Sequence, residues 1–389
     1  MRVSRWVAVS VLTVAVPSFT SRLFAETIRI PVKRPGAGPL YQTHRKEKWG
    51  FVDRSGKTVI EPRFDDERDF FHGLAAVRID GKWGYIDLQG TVVIDPHFDE
   101  VRDFLDELAP VRIGRKWGYI NTGGRIVIQP RFQAAAEFHE GLARVHIWSK
   151  VTCSGGAYTE ETAPEWAFHL LEDDHSDLPG CFPMGGHFGF IDKSGSLVIE
   201  SRFFVAQDFS EGLAAVRLEE SATSKYGYIN HRGSFVIKST FNQASRFSQG
   251  LAAVETSARV VGNQAVDIAW GFVDSSGALA IPPKYEFAGT FSEGLARVEI
   301  QPGHRWGYVD RAGKMAIASE FETATDFSDG LAVVSSSLRG YIDHSGKLII
   351  TDERAWWPFA DGLAVLGMTT NRVYINKQGQ TIAPYDIQQ

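Results

Sequence analysis

A two-residue element, Trp-Gly, begins at Trp49, Trp83, Trp117, Trp270 and Trp306 of this 389-residue chain. Phe188-Gly189, Tyr226-Gly227, Arg339-Gly340 and Val373-Tyr374 fill the same slot elsewhere. Successive first members are 34, 34, 71, 38, 44, 36, 33 and 34 residues apart. Self-similarity at such a period constrains the fold strongly, because each copy is one small unit that buries its apolar face only against its neighbours. Nine copies fill residues 48–385. Length alone would permit two or three ordinary domains, and the period replaces them with one array.

The residues around each pair specify strands and turns. Tyr85-Ile86-Asp87, Tyr119-Ile120-Asn121 and Tyr308-Val309-Asp310 follow their pairs directly, and runs of β-branched and aromatic residues signal strands. Three positions after each Asp or Asn comes a glycine: Gly56, Gly90, Gly124, Gly195, Gly233, Gly277, Gly313, Gly346 and Gly379. An Asx side chain closes a type I turn by accepting a backbone amide two residues on, and a left-handed Gly then returns the chain as a hairpin. The returning strand is short and apolar, as in Ile126-Val127-Ile128. Pro62, Pro96 and Pro130 follow such strands, where a missing amide is expected to end the ladder. A third strand is marked by Gly-Leu-Ala, starting at Gly73, Gly141, Gly212, Gly250, Gly294 and Gly330, with Glu107 in the glycine's place in the second copy. Each module reads as a three-stranded antiparallel meander with a looped return, and the whole chain as all-β.

These phrases resemble the WG-repeat (KWG-repeat) proteins, named for the same tryptophan–glycine pair. The resemblance covers nearly all of the chain beyond residue 47. It implies a tandem β-repeat scaffold and brings no general catalytic mechanism. Two arrangements stay open: an open, twisted, solenoid-like stack, and a closed propeller-like ring. The stack is favoured, since propellers typically use about four to eight blades of roughly 40 to 50 residues.

Residues 1–25 place Arg2 and Arg5 before an apolar run from Trp6 to Val16, then Pro17 and a polar stretch ending at Ala25. This is the layout of a secretory signal peptide. The run is about half of the roughly 20 residues a membrane span needs. The expected product is secreted or periplasmic, monomeric and without a membrane span. Residues 26–47, with Pro31, Pro35 and Pro39, read as an irregular lead-in. Lys plus Arg is 41 against 47 acids, a net charge of -6. Removing residues 1–25 takes away Arg2, Arg5 and Arg22 and no acid, which leaves -9. Such a chain has no global attraction to nucleic acid.

The 71-residue interval hides an insertion at about 148–187 that holds both cysteines, Cys153 and Cys181. In an exported chain a disulfide between them is expected, contributing about 3 kcal/mol in the chain-entropy model. His169, Asp173, Asp174, His175 and Asp177 lie inside that loop and offer donors for a divalent cation. A solvated acidic loop accounts for them equally, so no metal or cofactor is assigned. A shorter insertion spans Glu255 to Ala269. Insertions on a repeat scaffold tend to cluster on one face and carry its contacts.

No catalytic residue is assigned, because the chain has no Gly-x-Ser-x-Gly elbow, His-Glu-x-x-His, phosphate-cradling loop or dinucleotide fingerprint. Acidic pairs such as Asp65-Asp66 and Asp99-Glu100 recur at equivalent loop positions, as a repeated surface would. The expected function is a non-catalytic scaffold for a protein partner or an envelope polymer. One alternative uses the tryptophan row as a platform for sugar rings, although packing explains the row as well. A second centres a metal-dependent hydrolase on the long insertion.

Overall fold

The computed structural model describes residues 39–147, 150–153, 156–159, 181–184, 187–221, 223–261, 264–300, 303–367 and 372–384. Residues 1–25, read above as a signal peptide, most of the lead-in, and His169, Asp173, Asp174, His175 and Asp177 lie outside the described residues. Contacts divide the chain into Met1–Ile30 and Pro31–Gln389, and every described residue belongs to the second unit.

Nine small antiparallel sheets follow one another along the chain, beside a tenth within an insertion, with no helix among the described residues. They form blades 1 to 9 over residues 41–64, 66–98, 100–132, 134–203, 205–241, 243–285, 287–321, 323–351 and 363–384. Blade 2 shows the plan: strand a is Asp66–Phe71, b is Leu74–Ile79, c is Lys82–Ile86 and d is Val92–Phe98, hydrogen-bonded in that order. Strand b carries Gly-Leu-Ala residues, c the Trp-Gly pair, and d is the returning strand. Strand a occupies the stretch expected as a looped return. In several blades it is only two residues, such as Glu100–Val101 opposite Arg112 and Val111, too short to leave a periodic signal.

Strand d does not end at its proline. In blade 2 the c–d ladder pairs Tyr85 with Ile94 and resumes at Trp83 with Phe98. Gly84 alone on strand c faces Asp95, Pro96 and His97 in this bulge. A Cβ on Gly84 would stand 2.4 Å from the Ile94 carbonyl oxygen and 2.7 Å from the Pro96 nitrogen. The second half of the Trp-Gly pair is therefore a close-approach glycine. The ninth copy is shifted by one relative to the sequence expectation. Val373 stands in the glycine slot, and there the ladder runs Val373↔Pro384 and Tyr374↔Ala383 without that bulge.

The array is a closed ring, the arrangement held as the alternative to an open stack. Between consecutive blades, the Asx-turn glycine of one rests on a strand-d isoleucine of the previous one: Gly90 on Ile60, Gly124 on Ile94, and so on to Gly379 on Ile350. Gly56 of blade 1 rests in the same way on Ala383 of blade 9. A second series repeats the step. Tyr85 donates its hydroxyl proton to the Arg102 carbonyl at 2.7 Å, Tyr119 to Ala136 at 2.8 Å and Tyr341 to Trp357 at 2.9 Å. Tyr374 of blade 9 donates to the Gln42 carbonyl of blade 1 at 2.9 Å. Tyr41, Val52, Leu363, Val365, Tyr374 and Ala383 form one buried cluster across that joint. Short strands a and the tight b–c–d meander make each blade narrow, which lets nine fit around one axis.

Candidate functional site

One face of the ring carries the a–b and c–d turns. In the c–d turn of blade 1, Asp53 Oδ1 accepts the amides of Ser55 at 2.8 Å and Lys57 at 3.0 Å, while Gly56, at φ +85°, donates to the Asp53 carbonyl at 2.9 Å. Gly90, Gly124, Gly195, Gly277 and Gly313 take the same left-handed conformation. The hydrogen bonds that these acids accept hold Asp53, Asp192, Asp274 and Asp343 below the ordinary carboxylate range. They are turn closers.

In the a–b turns two successive residues have positive φ, as at Glu140 (54°) and Gly141 (79°). Their side chains clasp the next blade. Glu140 accepts the Gly212 amide at 3.0 Å, Glu211 the Gly250 amide at 2.7 Å, Gln249 the Gly294 amide at 2.9 Å and Glu293 the Gly330 amide at 3.0 Å. Bases from the c–d turns meet these acids: His231 on Glu140 at 2.8 Å, His344 on Glu293 at 3.0 Å and Lys377 on Asp329 at 2.6 Å. The a–b turn carboxylates Glu140, Glu211, Glu293 and Asp329 are thus committed to joining blades. A shallow pocket of about 330 Å³ lies at the closure, lined by Arg54, Leu363, Asn376 and Lys377 among others, and its lysine is the one held by Asp329.

The opposite face carries the b–c hairpins, and both insertions rise from it. In blade 6 the strands lengthen to Leu251–Val261 and Gln264–Asp274, paired as far as Val261↔Gln264. In blade 4 the long insertion includes a separate sheet of Lys150–Cys153, Gly156–Thr159 and Cys181–Met184, in which Cys153 is directly opposite Cys181.

The tryptophans sit beside this face as packing residues. Trp117 is 1% exposed and Trp83 7%, while Trp49, Trp270 and Trp306 are half-buried. Arginines cover the rings: Arg68 and Arg78 lie 5.7 and 5.8 Å from the Trp83 centroid, Arg102 5.5 Å from Trp117 and Arg297 5.1 Å from Trp306. Arginine thus adds cation–π packing to these three rings.

At the rim, strand d presents apolar side chains outward. Val59, Val93, Val127, Val198, Val236 and Ile349 are each more than 40% exposed. Sheet edges are ready templates for pairing, and bulges with prolines blunt them. Other shifted titratable groups include deeply buried ones. Burial raises Tyr85 and Tyr119 well above the usual tyrosine range, and it lowers His146 to about 3. None of these adjoins a nucleophile.

The family model described as WG containing repeat matches residues 49–83, 83–117, 117–146, 188–220, 226–257, 270–301 and 306–336. No curated protein matches the chain. Among solved structures, the uncharacterized protein lmo1340 from Listeria monocytogenes EGD-e is 10% identical, with a TM-score of 0.36, 73% of this chain covered and 92% of that one. The acylaminoacyl peptidase of Pyrococcus horikoshii is 11% identical with a TM-score of 0.38, covering 82% of this chain and 52% of its own. Scores this low carry no functional inference.

Proposed function

The chain belongs to the WG containing repeat family, and from that premise we propose that it is an exported, non-catalytic scaffold that binds another protein or an envelope polymer. The observation that supports this reading most is the common origin of the two departures from the repeat. Both the 148–187 insertion and the 251–274 hairpin replace the same b–c turn and so project from one face. Elsewhere the a–b and c–d turn acids named above close turns or clasp neighbouring blades, and Trp83, Trp117 and Trp306 carry arginines over their rings. Export rests on the layout of residues 1–25.

A disulfide between Cys153 and Cys181 fits this reading. Residues directly opposite on antiparallel strands have Cα separations of about 4.5 to 5.5 Å, within the range a disulfide spans. Intact-mass measurement of the exported chain, with and without reduction and alkylation, tests the pairing. Two alkylatable thiols before reduction would contradict it.

The functional test is affinity capture from cell-envelope extracts with the full chain and with residues 149–186 deleted. The proposal expects a partner retained by the full chain and lost on deletion or on shortening of the 251–274 hairpin. A complex that survives both changes would remove the insertions as recognition elements. Failure of the chain to leave the cytoplasm would overturn the export.

A further inference from the structure

At the joint between blades 6 and 7 the b–c face departs from the charge pattern of the first two joints. In blades 1 and 2 a lysine just before the Trp-Gly pair holds the acid that follows the last aromatic of strand d. Lys48 meets Asp65 at 2.5 Å and Lys82 meets Asp99 at 2.5 Å. Strand b of the following blade adds a second cation alongside: Arg78 stands 3.5 Å from Asp66, and Arg112 2.5 Å from Glu100. Blade 6 has Ala269 in the first position, and blade 7 has Glu299 in the second. Glu286, the counterpart of Asp65 and Asp99, therefore faces another carboxylate where the first two joints supply two cations.

His304 completes the group. It lies at the tip of the blade 7 b–c hairpin with φ +50°, and its Nδ1 is 2.8 Å from a Glu286 oxygen and 3.5 Å from a Glu299 oxygen. One donor atom from each of the three lies within 4.8 Å of the others.

We propose that Glu286, Glu299 and His304 form a binding site for a divalent transition-metal cation of the zinc class. Two carboxylate oxygens with one imidazole nitrogen suit borderline ions such as Zn²⁺, whereas Ca²⁺ and Mg²⁺ require larger all-oxygen sets. Three protein donors leave a coordination position for water or for a donor from a partner. The ion takes over for Glu286 the part that Lys48 and Lys82 play for Asp65 and Asp99, and it links the connector at Glu286 to strand b and the b–c hairpin of blade 7.

Calorimetric titration of the purified full chain with Zn²⁺, alongside thermal melts with and without the ion, tests the site. One ion is expected to bind per chain at this joint and to raise the melting temperature by mass action. His304→Ala and Glu286→Gln are expected to weaken binding more than about 10-fold, since loss of even a ligand's supporting hydrogen bond costs that much at such sites. Ala269→Lys restores the residue found at Lys48 and Lys82, so it should fold normally and abolish the Zn²⁺-dependent melting shift. Absence of binding up to about 1 mM Zn²⁺, or binding unchanged in both His304→Ala and Ala269→Lys, would overturn the proposal. In the second case the ion sits elsewhere, and the long insertion is the place to look.

Discussion

The joint between blades 2 and 3 joins residues about one repeat apart, whereas the joint between blades 9 and 1 joins Tyr41 to Asp361, 320 positions away. Both use the same parts. A strand-c tyrosine donates across each, Tyr85 to Arg102 and Tyr374 to Gln42, and an Asx-turn glycine rests on a strand-d side chain in each. The difference is that Ile94 supplies that side chain inside the ring and Ala383 supplies it at the closure. Closure needs no exchanged strand. It is the ordinary inter-blade contact applied once more, with an alanine in place of the isoleucine.

The largest effect should come from the glycine that allows the strand-d bulge. Gly118→Val places a Cβ 2.5 Å from the Ile128 carbonyl oxygen and should cost at least about 3 kcal/mol by overpacking, read from urea unfolding. Val373→Gly, in blade 9, which like blade 8 pairs without this bulge, should cost only about 1 kcal/mol, mainly through backbone entropy. Equal costs would show that the close approach is not what selects glycine.

Next come the tyrosine hydroxyls. Tyr119→Phe leaves the buried Ala136 carbonyl without its donor and should lose about 1 to 3 kcal/mol. Tyr374→Phe should lose a similar or smaller amount if the closure is built as the interior joints are. No effect at Tyr374 alongside a full effect at Tyr119 would separate the two joints. In the a–b turns, Glu107 has φ +73° where other copies have glycine. Glu107→Gly should therefore stabilise the chain by about 1 kcal/mol through relief of left-handed strain, measured by the same unfolding experiment.

The smallest effect at neutral pH concerns His146. Burial, with the His187 and Arg144 charges, lowers it from 6.5 to about 3. Its neutral form is favoured in the fold, so its contribution is fully present above about pH 6.5 and is lost as pH falls from there toward 3. Phenylalanine at this site should leave stability near pH 7 little changed and flatten its decline between pH 6.5 and 3. A decline of unchanged slope would contradict the assignment.

Much of this was legible in the residues. Asp53 with Gly56 and its eight counterparts marked the hairpins because an Asx turn needs a fixed spacing, and the aromatic–aliphatic phrase after Trp-Gly marked strand c. Strand a was hidden, since Glu100–Val101 is two polar-flanked residues whose pairing comes from the neighbouring strand. The role of the pair's glycine was hidden too, because a close approach by Pro96 is a tertiary fact. Ring closure could not be read from a repeat length, since Tyr374 looks the same whether its carbonyl acceptor lies in a next blade or in the first one. The Glu286, Glu299 and His304 group was the most concealed. Its three members lie on separate segments, and only the loss of a lysine at Ala269, visible by comparing copies, hinted at it.

Closure itself is tested most directly by distances between spin labels on exposed c–d turns, in a chain with Cys153 and Cys181 changed to Ser. Labels at Ser55 of blade 1 and Gln378 of blade 9 should be as close as labels at Ser345 and Gln378 of adjacent blades 8 and 9, and closer than labels at Ser55 and Ser276 of blades 1 and 6. A Ser55 to Gln378 distance longer than all the others would mean an open array and would contradict the nine-bladed ring.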